Sequence, residues 1–155
     1  MEIKLLVVGK TKNKELISLI SNYVKRIKLY NKFQIIEVNS TKSKKNNEND
    51  FKKIESENIL KKVKNNDLLI LLDEKGKNYS SREFANFIKI KTQENKTIIF
   101  VIGGAFGFSS ELYSKSHGLI SLSNMTFSHQ IIRLFFTEQL YRAFTILNNH
   151  PYHND

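Results

Sequence analysis

Five short apolar runs divide the chain, and together they predict a sheet. They cover residues 3–8, 33–38, 68–72, 97–102 and 118–122. Continuous apolar runs of this length are typical of strands that are buried on both faces. Because stretches with helical spacing separate the runs, strands and helices alternate. The alternation predicts an α/β fold in one domain over residues 1–155, with a mainly parallel sheet flanked by helices.

The segments between the runs repeat apolar residues every third or fourth position. This pattern is clearest over residues 13–30 and predicts an amphipathic helix there. A second helix is expected over residues 51–63. A third is expected to begin at Ser80, which forms a capping-box pair with Glu83, and a short fourth helix is expected to begin at about Ser109.

The last helix, expected to end near Asn148, is apolar nearly all round. A helix of this kind must be buried on more than one side. In so small a chain we expect the second contact to be another subunit, which predicts a dimer packed through this helix.

Composition excludes several classes of protein. With 40% hydrophobic residues, 11 Phe and 6 Tyr, the chain can bury a core and is not a disordered polymer. The absence of cysteine excludes disulfide scaffolds, Cys-ligated metal centres and thiol catalysis. Since no apolar run approaches membrane-spanning length and the start lacks a signal-peptide pattern, we expect a cytosolic protein.

The positive charge is unevenly distributed. Residues 1–66 hold 16 basic and 7 acidic side chains, whereas residues 67–155 hold 9 and 8. The formal net charge of +10 favours a nucleic-acid partner, because lysines that neutralise phosphates release counterions. The first half also contains STKSKKNNEN, a polar stretch that predicts a mobile loop between Asn39 and Asp50.

Three segments that follow predicted strands are candidates for a ligand site, because ligands of open α/β sheets bind beyond the carboxyl ends of the strands. They are LLDEKGK at 71–77, IGGAFGFSSE at 102–111 and SLSNMTFSHQ at 121–130. The first is interpreted as a turn closed by Gly76. The glycines of the second allow close approach of a ligand, although they match neither a P-loop nor GxGxxG. A tight connection between elements is the alternative interpretation.

The last part of the chain carries candidate polar groups. Arg133 and Arg142 lie in the apolar final helix, where an ion pair with Glu138 or Asp155 is about as plausible as a functional role. The spacing of the histidines in the tail fits no common metal site, so we expect no metal. Hydrolysis is not favoured either, because no GxSxG motif is present.

Four segments together resemble the ribosomal RNA large subunit methyltransferase H family, which belongs to the SPOUT class. They are LLDEKGK, FVIGGAFGF, SLSNMTFSHQIIRLFFTEQLYRAF and the terminal NHPYH, and the resemblance covers the whole chain. It implies methylation of N3 of pseudouridine 1915 in helix 69 of 23S ribosomal RNA, with S-adenosylmethionine as donor. It further implies a homodimer that acts on the assembled ribosome, and a C-terminal trefoil knot.

The resemblance also assigns residues by position. The implied cofactor-binding residues are Leu72, Gly104, Ser123, Asn124, Met125, Thr126, Phe127 and Ser128. The implied catalytic residues are His129, Arg142, Tyr152 and His153. Arg142 is expected to hold negative charge on the substrate, His129 or His153 to accept the N3 proton, and Tyr152 to stack on the target base. The chain has Ser128 where the family usually has proline, and Asn154 where a basic residue is common.

Two other functions remain as alternatives. One is a non-catalytic RNA-binding or ribosome-associated module on a degenerate methyltransferase fold. The other is a nucleotide-binding α/β enzyme, which the absence of phosphate-loop and ribose-binding signatures disfavours. In the methyltransferase interpretation, the basic first half is expected to dock on ribosomal phosphates away from the reaction, through Lys10, Lys12 and Lys14.

Overall fold

The computed structural model describes residues 1–40 and 47–155, and it confirms the alternation of strands and helices. The elements are β1 (Glu2–Val8), α1 (Lys14–Ile27), β2 (Lys32–Val38), α2 (Glu48–Leu60), β3 (Leu68–Asn78), α3 (Ser81–Gln93), β4 (Ile98–Ile102), α4 (Ser110–Lys115), β5 (Gly118–Ser121) and α5 (Ile131–Leu147). Within the described residues, no helix is both long and apolar enough to cross a membrane.

The sheet has five strands in the order β2-β1-β4-β3-β5, and all its neighbouring strands pair in parallel. Alternate strand residues point to opposite faces. One face packs against α1, α3 and α5, and the other packs against α2 and α4. This confirms a parallel sheet flanked by helices. Because the strands are parallel, the loops that follow β3, β4 and β5 leave from the same edge.

The start of α2 lies earlier than predicted. Residues 41–46 of the predicted mobile loop lie outside the described residues, but Glu48 and Asp50 already belong to the helix. Asn47 caps it, and the side chain of Asp50 returns to the Asn47 backbone in a capping box. A polar sequence can form a first helical turn in this way without burying anything.

The interpretation of the segment LLDEKGK as a turn closed by Gly76 is wrong, because β3 continues to Asn78. Leu72 and Lys77 both pair with Ile120 of β5, so the residues between them form an irregularity in the strand. A Cβ atom on Gly76 would lie 2.6 Å from the backbone nitrogen of Ile120. Gly76 therefore permits close approach of two backbones and does not close a turn.

Helix α5 packs between α1 and α3 over the centre of the sheet. Its Phe136 ring lies 4.8 Å from that of Phe100, measured between centroids. Neighbouring helices of the same chain therefore cover most of the apolar surface that predicted a second subunit. A remaining strip is partly exposed, with Ile131 at 39% and Phe135 at 37% of their full exposure.

Candidate active site

The irregular part of β3 and the loops after β4 and β5 surround a cavity of about 450 Å³. Seven of the eight expected cofactor-binding residues line it. These are Leu72, Gly104, Ser123, Met125, Thr126, Phe127 and Ser128. The three segments that follow predicted strands thus come together, as expected for the carboxyl edge of a parallel sheet.

The eighth residue, Asn124, does not line this cavity. Its Oδ1 accepts a hydrogen bond of 2.6 Å from Nδ2 of Asn78, at the end of β3. A second bond between the same two segments runs from the Thr126 hydroxyl to Glu74 Oε1, at 2.8 Å. Asn124 and Glu74 therefore hold the loop after β5 against the irregular part of β3.

The glycines of the loop after β4 have distinct packing roles. A Cβ atom on Gly103 would meet the Phe108 ring at 2.9 Å, and one on Gly104 would meet the Glu55 carboxylate at 2.8 Å. Gly107 has a φ of +78°, which L side chains rarely adopt. As predicted, Ser109 caps the short helix α4 by accepting a hydrogen bond from the backbone of Leu112.

Asp73 also lines the cavity, and its carboxylate is already engaged. It accepts one hydrogen bond from the Tyr113 hydroxyl and another, of 2.8 Å, from the backbone of Lys75. Burial and the adjacent carboxylate raise the pKa of Tyr113 above its ordinary value. The phenol therefore stays protonated and keeps Asp73 in place.

His129 lines the same cavity. Burial lowers its pKa below the usual 6.5, and the positive charges of Arg133 and Lys12 lower it further. Its imidazole is therefore neutral near pH 7. A neutral imidazole at a ligand cavity is able to accept a proton.

Arg133 lies behind His129 and is almost fully buried, at 1% exposure. Its Nε donates to the His129 carbonyl at 3.0 Å and its Nη2 to the Val8 carbonyl at 2.8 Å. Its Nη1 donates to the Gly9 carbonyl and the Thr11 hydroxyl, at 3.0 and 2.9 Å. The suggested ion pair of Arg133 with Glu138 or Asp155 is therefore wrong, since these neutral acceptors satisfy the guanidinium.

The loop after β1 lies beside His129. The backbone of Lys12 donates to Gln130 Oε1 at 3.0 Å, and Gln130 Nε2 donates to the Lys10 carbonyl at 3.1 Å. The expectation that the basic first half lies away from the site is therefore wrong for Lys10 and Lys12. The loop adds positive charge next to the cavity.

The other three expected catalytic residues form a separate cluster around Glu138. Arg142 Nη2 is 2.6 Å from Glu138 Oε1, which confirms the ion pair suggested for Arg142. The Tyr152 hydroxyl donates to the same oxygen at 2.9 Å, and the Arg142 guanidinium lies 4.8 Å from the Tyr152 ring centroid. His153 completes the cluster, with Nδ1 3.1 Å from Arg142 Nη1.

These contacts define the tautomer of His153. Because Arg142 can only donate, Nδ1 of His153 accepts, and its Nε2 carries the proton that faces Asp155 Oδ1 at 3.1 Å. Asp155 in turn binds Arg82 through two hydrogen bonds of 2.7 and 2.8 Å. The C-terminal tail is therefore held against α3 and α5.

His129 and the Glu138 cluster lie at different cavities of one chain. Glu138 and Arg142 line a second cavity of about 780 Å³, which adjoins the first and shares with it Ser121, Leu122, Ser123, Phe127 and Ile132. At 1.5 Å per helical residue, Arg142 lies roughly 15 Å along α5 from Ile132. In residues 1–40 and 47–155, no three His, Asp or Glu side chains are grouped as metal ligands would be.

Comparisons with known proteins agree with this geometry. A family model described as a predicted SPOUT methyltransferase matches residues 1–153. A protein of Flavobacterium psychrophilum named ribosomal RNA large subunit methyltransferase H is 52% identical over 156 residues, covering 99% of both chains. The protein of the same name from Phocaeicola vulgatus is 48% identical over 157 residues and covers 100% of both chains. The chain belongs to this family of SPOUT methyltransferases.

Solved structures share the SPOUT methyltransferase fold at low sequence identity. A probable methylase family protein from Haemophilus influenzae has a TM-score of 0.54 at 16% identity, covering 99% of this chain and 70% of that one. A putative methyltransferase from Legionella pneumophila, in complex with the cofactor SAM, has a TM-score of 0.52 at 13% identity. That match covers 92% of this chain and 66% of the other. Likeness at this identity supports the fold alone.

Sequence reasoning on this SPOUT methyltransferase missed several groups at the site. Asp73, Glu74 and Lys75 lie within a segment it selected, yet nothing in their spacing marked them individually. Glu55 is brought in from α2 by packing. Arg133 was identified as a charged residue in an otherwise apolar helix, but its bonds to the loop after β1 were not predicted.

Proposed function

We propose that the chain methylates N3 of pseudouridine 1915 in helix 69 of 23S ribosomal RNA within the assembled ribosome, using S-adenosylmethionine. The observation that carries the proposal is the cavity at the carboxyl ends of β3, β4 and β5. Family membership supports the reaction class, and the names of the full-length relatives support large-subunit ribosomal RNA as the substrate.

The cavity fits this methyl donor. Its volume of about 450 Å³ is in the usual range for small-molecule sites. Leu72, Ile102 and Leu122 offer an apolar wall for the adenine, while the loop at 123–128 offers backbone groups and hydroxyls. Bound there, S-adenosylmethionine supplies a sulfonium-activated methyl: as N3 bonds the methyl carbon, the S–C bond breaks and its electron pair stays on sulfur.

On the substrate side, we assign His129 as the acceptor of the N3 proton. It lies in the cavity, and its lowered pKa keeps it neutral at physiological pH. His153 is less suited in this arrangement, because Arg142 occupies its Nδ1 and its Nε2 already carries a proton. We assign Arg142 to hold negative charge on the target base and Tyr152 to stack on it.

A homodimer would bring these groups together. The roughly 15 Å along α5 between the cavity and Arg142 exceeds the reach of one arginine side chain. The exposed strip that contains Ile131 and Phe135 borders the second cavity, so a second copy packed there would place its Glu138 cluster near the first cavity. Each site would then combine His129 of one chain with Arg142, Tyr152 and His153 of the other.

Further parts of the proposal rest on the family. They are a trefoil knot formed by the last third of the chain, one methyltransferase domain over residues 1–155, and action in the cytoplasm, where ribosomes are. The loop with Lys10 and Lys12 supports an RNA substrate, since the charge of Lys12 acts on His129 and lysines neutralise phosphates.

The test supplies labelled S-adenosylmethionine and the protein to ribosomes that lack this methyl group, with ribosomes that already carry it as control. Label is expected only in the unmethylated ribosomes, at the target nucleotide. Equal labelling of both would reject the substrate. If calorimetry detects no binding of S-adenosylmethionine, the chain is instead a non-catalytic RNA-binding module.

A further inference from the structure

Glu55 is a buried acidic residue that the proposed reaction does not use. It lies on α2 and is only 6% exposed. Burial raises the pKa of its carboxyl above the usual 4.5. Among residues 1–40 and 47–155, it has no hydrogen-bond donor or cationic partner. Burying most of a carboxylate side chain is unfavourable for stability, so packing alone does not explain the presence of Glu55 here.

The position of the carboxylate relates it to the cavity. Its Oε2 and Oε1 atoms lie 2.8 and 3.2 Å from the place where Gly104 would carry a Cβ, and the carboxyl carbon lies at 3.4 Å. Both oxygens therefore face Gly104, which lines the cavity. A single residue without a side chain separates the carboxylate from the ligand space.

The contact is held from both sides. The hydroxyl of Ser56, next to Glu55, accepts a hydrogen bond of 3.2 Å from the backbone of Ser109. The Phe51 ring stacks on the Phe106 ring, with centroids 5.5 Å apart. Helix α2 is thus attached to the loop after β4 through residues on either side of Glu55, which holds Glu55 against this loop.

We propose that Glu55 makes the cavity selective for the sulfonium form of the cofactor over the product left after methyl transfer. This inference rests on the proposed function. S-adenosylmethionine has a net charge of +1, from a sulfonium, an ammonium and a carboxylate. S-adenosylhomocysteine is its uncharged thioether and has a net charge of zero. When it is ionised, the carboxylate behind Gly104 attracts the first and not the second, which favours exchange of product for fresh cofactor. Because burial raises the pKa of this carboxyl, the preference is present above that pKa and is lost as pH falls through it.

Coulomb's law sets the size of this preference. If the sulfonium lies about 10 Å from the carboxylate and the effective dielectric constant is about 20 to 40, one charge pair changes affinity roughly 4- to 17-fold. The effect acts through space, so it requires no direct contact between Glu55 and the ligand.

The test compares Glu55→Gln with wild type, using calorimetric titration with S-adenosylmethionine and, separately, S-adenosylhomocysteine. Gln has the same shape and no charge. The dissociation constant of S-adenosylhomocysteine divided by that of S-adenosylmethionine should therefore fall roughly 4- to 17-fold, with affinity for S-adenosylhomocysteine within about two-fold of wild type. The matched control is Glu57→Gln, which removes an exposed charge from the same helix and should leave the ratio unchanged.

Two results would overturn the inference. Equal weakening of both ligands would mean that Glu55 only supports the loop, and no change would mean that its charge has no effect. If Glu55→Gln lowers the melting temperature strongly, Glu55→Asp is measured as well, because it keeps the charge. Its ratio of the two dissociation constants must stay within about two-fold of wild type. A larger fall of this ratio in Glu55→Asp also rejects the inference. Failure of wild type to bind either ligand would reject the proposed function instead.

Discussion

The proposed site made from two chains can be tested by combining two inactive variants. His129→Ala removes the proton acceptor in the first cavity, and Arg142→Ala removes the cation of the Glu138 cluster. Each homodimer should lose activity at both of its sites. Loss of a general base lowers rates about 10²- to 10⁴-fold, and loss of a charge-stabilising donor about 10²- to 10³-fold.

The heterodimer of the two variants should behave differently. If His129 of one chain works with Arg142 of the other, one of its two sites has lost both residues and the other is intact. Its rate should therefore be about half that of wild type, because a symmetric dimer has two equal sites. That is at least about 50-fold above either homodimer.

The assay uses chains with two different affinity tags, co-expressed and purified through both tags in turn. Methyl transfer to unmethylated ribosomes is then measured at equal dimer concentration. A control heterodimer of His129→Ala with His129→Asn lacks the same group in both chains and should stay inactive. If the mixed dimer is as inactive as the two homodimers, each site is formed within one chain and the reasoning is wrong.

Other variants test the fold, the site and the docking loop. Gly76→Ala should destabilise the protein by about 1–3 kcal/mol in urea unfolding, because its Cβ would overlap with β5. Arg133→Met should cost about 2–4 kcal/mol in the same assay, since it leaves buried carbonyls unpaired. Joint replacement of Lys10 and Lys12 by Gln should weaken ribosome association and flatten its salt dependence, with cofactor affinity unchanged. In the pH profile of kcat/KM, the loss of activity on the acid side should have its midpoint below pH 6.5, because His129 must be neutral to accept a proton and its pKa is lowered. Lys12→Gln should move this midpoint to higher pH, because it removes a positive charge that lowers the pKa of His129.

The sheet could be predicted because its signal is local. Strand β4 and residues 5–8 of β1 are buried on both faces, so their sequences are apolar throughout. The end of β3 could not be found in this way. Lys77 and Asn78 are polar, and they are in a strand only because β5 pairs with them. Pairing with a distant segment leaves no periodic pattern in either sequence.

The candidate site was predictable in part for a related reason. Loops that follow parallel strands meet at one edge, so the convergence of the segments around Leu72, Gly104 and Ser123 follows from topology. Residue spacing carries no distance information across the fold. It could not separate His129 from the Glu138 cluster, and it could not show that Glu55 packs behind Gly104.

The hydrogen bonds of Arg133 also bear on how the chain acquires its site during synthesis. The bond from Arg133 to the Val8 carbonyl joins residues 125 positions apart, and it fixes the loop after β1 against the start of α5. Contacts with such sequence separation form late, because the intervening chain must first be ordered. While α5 is still inside the ribosome, the nascent chain can pair some of its strands. The basic loop after β1 then lacks its hydrogen bonds to Arg133, and the cavity lacks the residues that α5 contributes to its lining. Nearly the whole polypeptide must therefore emerge before any part of the site can bind RNA in its final geometry.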